Sequence, residues 1–348
     1  MNIRFFNIVL LLSCMSMLSC SDRGKSGIDG YFSLSDFREE IVELADVEFS
    51  PAVLDGLSAS VQLLGNSVVL LSPRSGENLL TRFEFETGDK ELFLSRGRGP
   101  QELLGVGDMY VTKDTLFVYD TNERKILNYL RTPADTLAYG FSIIVDDYYH
   151  RIIPTPKGDY LGSPMKDARF KIISRNGDSG EAVGSFLPVK GPREAVNSQA
   201  LQTLIAFSPD GSHVCSAYQN ADCIEFYDSD LNLKSRLIGP ERHVPEVTVW
   251  RRGDWYGYSP KPYFKAFMGL CATEKVVFIG YVGYERKSGD PEKGLNSILT
   301  FDWDGNCKER YILPFELVGF DIDADNRLVG VTFDHEHPQL VRFPLPDE

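Results

Sequence analysis

Positive charge is scarce in this chain. Against 50 Asp and Glu stand 36 Lys and Arg, a formal net charge of −14 over 348 residues. Such a balance lacks the basic face that neutralises phosphate, so no nucleic-acid partner is expected. It equally disfavours electrostatic docking on an anionic bilayer. Chemical signatures are also missing. There is no Gly-x-Ser-x-Gly elbow, no His-Glu-x-x-His, no phosphate-binding loop and no dinucleotide fingerprint. Beyond the first 19 residues no stretch reaches the ~18 apolar residues of a membrane-spanning helix. Helical periodicity is nowhere sustained over about ten residues, which leaves an all-β chain.

Cysteine is sparse too. Of six cysteines, Cys215, Cys223, Cys271 and Cys307 follow no metal-site spacing, so neither zinc nor a cofactor is expected. In an exported chain Cys215 and Cys223, flanking an expected hairpin, are candidates for a local disulfide; burial as small apolar side chains is the alternative. The other two cysteines lie at the N-terminus. Arg4 and the apolar run Phe5 to Leu12 have the build of a signal peptide. Met17-Leu18-Ser19-Cys20 then precedes polar Ser21-Asp22-Arg23-Gly24-Lys25. This resembles a bacterial lipobox, whose cysteine is diacylated and becomes the mature N-terminus. Leu11-Leu12-Ser13-Cys14 is a rival site, but apolar residues still follow it. An ordinary cleaved signal is the other alternative. The expected division is therefore a signal over 1–19, a lipidated N-terminus and tether over 20–46, and the folded body over 47–348. Residues 37–44 read as a short helix or the start of a first strand. The only membrane attachment expected is the lipid on Cys20, which places the protein at the cell envelope.

What is abundant is self-similarity. An apolar strand, a loop and a second alternating strand recur six times, beginning near Ser67, Thr115, Asp159, Ser212, Lys275 and Asn326. The spacings are 48, 44, 53, 63 and 51 residues. A repeat of that length matches a four-stranded propeller blade, and six copies predict one six-bladed β-propeller with antiparallel blades, expected to be monomeric. Residues 47–54 are placed to supply the outer or closing strand of the last blade, so that the ring has no open edge.

With the lipobox and the six repeats, two runs carry a family resemblance. They are Gly97-Arg98-Gly99-Pro100-Gln101-Glu102-Leu103 and Phe207-Ser208-Pro209-Asp210-Gly211. Over residues 20–348 the chain resembles the TolB-like six-bladed propeller lipoproteins of Bacteroidetes-type bacteria. That resemblance implies a fold and an envelope location, with no assigned reaction.

Gly-Pro recurs at three blade junctions, before Gln101-Glu102, Arg193-Glu194 and Glu241-Arg242. Turn chemistry explains the pair, since proline fixes φ and the carboxylate can accept from turn amides. The same junctions bring Arg96, Arg98, Arg193 and Arg242 toward the central mouth, where a positive ring would suit a carboxylate or sulfate. Residues 250–264 hold Trp250, Arg251, Trp255 and Tyr256 among glycines and prolines, a composition suited to sugar rings or peptide side chains. Tyr148-Tyr149-His150-Arg151 is a weaker site of the same kind. Asp321 to Asn326 imitates a calcium loop but lacks its glycine and final glutamate, so a hairpin turn is expected. His335-Glu336-His337 has no third ligand in sequence. Arg98, Arg193, Trp250, Arg251, Trp255 and Tyr256 are the expected ligand-binding residues, with a glycan, peptide or envelope protein as partner and no catalysis. A propeller hydrolase or lactonase for a small exported substrate is the alternative, since a carboxylate pair is a matter of three-dimensional spacing.

Overall fold

The computed structural model describes residues 29–72, 77–165, 168–188, 200–253 and 255–345. The lipobox and Cys20, Arg193 and its junction, and Asp254 lie outside the described residues. Leu34–Asp36 and Leu44–Asp46, each a single 3₁₀ turn, are the only helices among the described residues. None is long and apolar enough to cross a membrane.

Every one of the six sequence repeats forms the two middle strands of a blade. Blade one runs through Val61–Leu64, Ser67–Leu71, Asn78–Glu84 and Lys90–Ser95, each strand antiparallel to the last. Blade two comprises Asp108–Thr112, Thr115–Asp120, Lys125–Arg131 and Leu137–Ile144. Blade three comprises Tyr149–Pro154, Tyr160–Pro164, Phe170–Ile173 and Ser179–Val183. Blade four comprises Thr203–Phe207, His213–Tyr218, Cys223–Asp228 and Leu233–Ile238. Blades five and six share one eight-stranded sheet, because the long strand Cys307–Ile322 belongs to both. Its first part completes Tyr263–Ala272, Val276–Arg286 and Leu295–Asp302 as the outer strand of blade five. From Leu317 it pairs with Arg327–Thr332 as the inner strand of blade six, followed by Leu340–Pro344.

The six innermost strands neighbour one another in sequence order, and that of blade six returns to that of blade one, closing the ring. The core lies between blades. Middle strands are apolar on both faces because each blade packs against two neighbours, so Ser67–Leu71 and Cys223–Asp228 are buried almost throughout. An innermost strand has no ladder partner on its axial side, and its amides need other acceptors. Polar groups of adjoining blades supply some of them. The Asp321 carboxylate accepts from the Leu63 amide (2.9 Å), and the Gln62 carboxamide from Val111 (2.8 Å). The Gln219 carbonyl accepts from Ala266 (2.9 Å).

Closure comes from the N-terminal end. Glu48–Phe49 pairs antiparallel with Leu340–Pro344, the third strand of blade six, and so supplies the blade's outer strand, as the expectation for residues 47–54 required. Of the tether expected over 20–46, the described part, residues 29–46, is bound to the ring. Asp29–Tyr31 adds a parallel fifth strand to blade four, and Arg38–Ile41 another to blade five. Phe32, Phe37, Val42 and Val47 are buried at intervals of five residues and pin this strap to the rim. Phe32 and Phe37 meet Phe301 edge-on, at 5.4 and 5.2 Å between ring centroids. Cys215 and Cys223 are both buried and reduced. They pair with Phe226 and Ile238 across the sheet, not with each other, so no local disulfide bridges that hairpin.

Candidate functional site

Outer-to-inner junctions and second-to-third strand turns all fall at one end of the ring, because the inner strands run in the same direction. The turn that bears Arg98, the chain that leads into and out of residues 246–261, and the start of blade three therefore lie at one end. They reach it in different ways.

The run Gly97 to Leu103 leaves the outer strand of blade one and folds back on itself. The Gly99 amide donates to the Glu102 carboxylate (2.8 Å). A Cβ on either Gly97 or Gly99 would clash with that carboxylate, which is why glycines flank Arg98. Lys125 of blade two braces the turn from beneath, its ammonium donating to the carbonyls of Gly99 (2.6 Å) and Glu102 (2.8 Å). Asp120 spends both carboxylate oxygens on the amides of Leu104, Gly105, Asn122 and Glu123. Arg98 is left exposed beside a cleft of about 440 Å³ between blades one and two.

At the junction after blade four the turn chemistry differs. The acceptor is Asp222 from a neighbouring turn, taking the amides of Glu241 (2.7 Å) and Arg242 (3.1 Å). Burial pushes the Asp222 carboxyl up to about 7, against the pull of those two amides. Arg242 lies over the ring of Tyr31 in the strap, 5.0 Å from its centroid. Arg98 and Arg242 are thus held by separate blades, and no contact among the described residues draws them together.

The arginine that sits among the inner strands is Arg151, part of the Tyr-Tyr-His-Arg run. It pairs with Asp108 of blade two (2.7 Å) and donates to the Thr203 carbonyl of blade four (3.0 Å), so it spans three blades. Next to it, His150 Nδ1 lies 3.4 Å from the carboxamide of Gln202, which leads into the inner strand of blade four. Burial and the neighbouring Arg151 push His150 down to about 4, so its ring is neutral at physiological pH. Burial lifts Asp108 to about 6, while Arg151 pulls it back. Asp108 gave no sequence signal, since an aspartate opening a strand reads as turn.

Glu246–Arg252 and Trp255–Lys261 form a two-stranded hairpin inserted in the longest repeat interval, and it pairs with none of the blade sheets. Trp250 is 48% exposed, and Val249 and Arg251 are exposed beside it. Trp255 and Tyr256 stand opposite Arg252 and Arg251 in its register. A lone two-stranded hairpin is marginally stable in water, so packing against something else strengthens it.

Two other runs resolve into turns. Asp323 accepts from the amides of Asp325 (2.9 Å) and Arg327 (2.8 Å), and Asn326 has φ 58°, so the calcium-like run is a hairpin turn. Asp334 does the same for Glu336 and His337. Among the described residues no three His, Cys, Asp or Glu side chains are placed to hold a metal. Chemically, the face offers guanidinium groups, an exposed indole and neutral hydrogen-bonding groups.

Two of the solved structures similar to this one come from Bacteroides species. A protein of Bacteroides fragilis designated exported matches with a TM-score of 0.53 at 13% identity, covering 89% of this chain and 99% of its own. A DUF4221-family protein of Bacteroides vulgatus matches with a TM-score of 0.54 at 12% identity, covering 87% and 98%. At those identities the likeness is one of fold. No curated protein matches the chain. Residues 66–325, about three quarters of the sequence, match the family described as TolB-like 6-blade propeller-like. The chain belongs to that TolB-like six-blade propeller family.

Proposed function

We propose that this protein is a non-catalytic envelope lipoprotein, exported by its first 19 residues and held by acyl chains on Cys20. Its rigid ring presents the junction face to a glycan, peptide or protein of the envelope. The observation that carries this reading is the 246–261 hairpin, which projects Trp250 and Arg251 into solvent from an otherwise closed ring. An exposed indole beside a guanidinium is the composition of a binding hot spot. The central mouth adds Arg151 and His150 at the feet of the inner strands, and Arg98 belongs to a junction of the same face; Arg193, outside the described residues, is included on its sequence alone.

The similar exported Bacteroides protein supports the location. Anchoring follows from chemistry: each buried methylene of an acyl chain contributes about 0.8 kcal/mol, so two or three chains hold durably where one does not. A Cys20→Ala variant should move from the membrane pellet to the soluble fraction and lose incorporation of labelled palmitate. For binding, envelope extracts and glycan arrays should be probed with the wild type and with a Trp250→Ala, Arg251→Ala double variant. Retention of the same ligands by the double variant defeats the hairpin reading.

A further inference from the structure

We propose that the cleft between blades one and two binds a small organic carboxylate through Arg98. This assignment rests on reading the propeller as a binding scaffold, and it names a ligand class at a place separate from the hairpin.

Arg98 is the reason to look here. The protein carries an excess of 14 negative charges, and most of its described arginines sit against a carboxylate: Arg82, Arg131, Arg151, Arg236, Arg310 and Arg342 each form such a pair. Arg98 forms none among the described residues. The carboxylate in its own turn, Glu102, is occupied by the Gly99 amide. Asp120 in the adjoining turn is occupied by four amides. The loop thus consumes its own acids and leaves the guanidinium open.

A second cation stands behind it. Lys125 is only 6% exposed, and its two hydrogen bonds go to neutral carbonyls. A buried ammonium with neutral partners leaves positive potential in the cleft it lines. Glu123 also lines the cleft and opposes it, so the lining charge is one positive in excess. The remaining walls are Pro100, Leu104 and Ile144, with the Asn122 carboxamide. A guanidinium fork fits a carboxylate in two parallel hydrogen bonds. The apolar walls and the volume of about 440 Å³ then suit a ring-sized body attached to it. A bare inorganic anion would leave those walls wet.

Calorimetric titration of the purified protein tests this with glucuronate and benzoate, their neutral counterparts glucose and benzamide, and sulfate. Both carboxylates should saturate, and the neutral pair should give no heat up to roughly 10 mM. Arg98→Ala should weaken the carboxylates by about tenfold or more, and Arg98→Lys by less, since lysine keeps the charge but loses the fork. Arg175→Ala, in an exposed turn of blade three, should bind as the wild type does. The proposal is overturned if neither carboxylate binds, if sulfate binds as tightly as they do, or if Arg98→Ala leaves their affinity intact. Loss of this binding site would leave hairpin-dependent capture from envelope extracts unaffected, so the two readings fail separately.

Discussion

Asp222 is fully buried, and the hydrogen bonds that reach its carboxylate come from main-chain amides. Burial lifts it from the ordinary 3.8 to about 7. The folded protein therefore holds that proton more tightly than the unfolded chain does. The stability so gained is complete below about pH 4 and is lost as pH rises through 7. Asp108 and Asp321, both lifted to about 6 by burial, act with the same sign and lose their share earlier. Urea midpoints should thus fall between pH 5 and pH 8, and Asp222→Asn should flatten the upper part of that slope. An unchanged slope in the variant would show that Asp222 ionises freely. Arg169 makes a different case. It is wholly buried between blades three and four, beside Glu225 (3.5 Å) and over the Phe170 ring (4.2 Å). Arg169→Ala strands buried polar partners and should cost about 3–5 kcal/mol in equilibrium unfolding. Neither residue was legible in the sequence. A lone charge within a strand pattern reads as solvent-facing, and only the neighbouring blade reveals otherwise.

At the scale of elements, legibility followed burial. The middle strands of each blade are covered on both faces, so they appear as dense apolar runs, and all six pairs could be read directly. Outer strands such as Lys90–Ser95 are largely exposed, and the inner strand Val61–Leu64 is four residues long; neither leaves a periodic signal. The strap was misjudged for the same reason. Its strands span three and four residues, and its anchors recur every five, a period that belongs to neither helix nor strand. Those anchors make it testable. Phe37 fills a pocket against Phe301 and Phe32, so Phe37→Ala should cost about 3–5 kcal/mol if the strap is integral to the fold. Hydrogen exchange should then rise over residues 29–46 before it rises in blade five. Unchanged protection there would mean the strap's strands hold without their aromatic anchor. The junctions show the other limit. Sequence placed Arg98 and Arg242 at the same end of the ring, but which neighbour each would meet depends on blade order and on the strap that supplies Tyr31.

For the molecule as a whole, the decisive contact is a small one. Blades one to five are each completed by contiguous chain, whereas blade six borrows its outer strand from residues 48 and 49. Arg342 secures that joint, bonding Glu48 and Glu86 at once and lying 4.3 Å over the Phe85 ring of blade one. A closed ring leaves no inner blade face to solvent; an open one exposes the outer edge of Leu340–Pro344 and loosens blade six from blade one. Removing residues up to Phe49 also strips Phe32, Phe37, Val42 and Val47 from the rim, each worth roughly 1.5–3 kcal/mol of burial. The sum is comparable to the whole stability of an ordinary domain. The truncated chain should therefore aggregate or unfold at low urea. Arg342→Met separates the joint from the strap. It keeps the stem over Phe85 but cuts both ion pairs, and half-exposed pairs of this kind are worth about 1 kcal/mol or less each. That variant should remain folded and cooperative with a modestly lower midpoint. Should the truncated chain instead stay monomeric with the wild-type midpoint, the ring is held by the packing between blades alone, and its borrowed strand is dispensable.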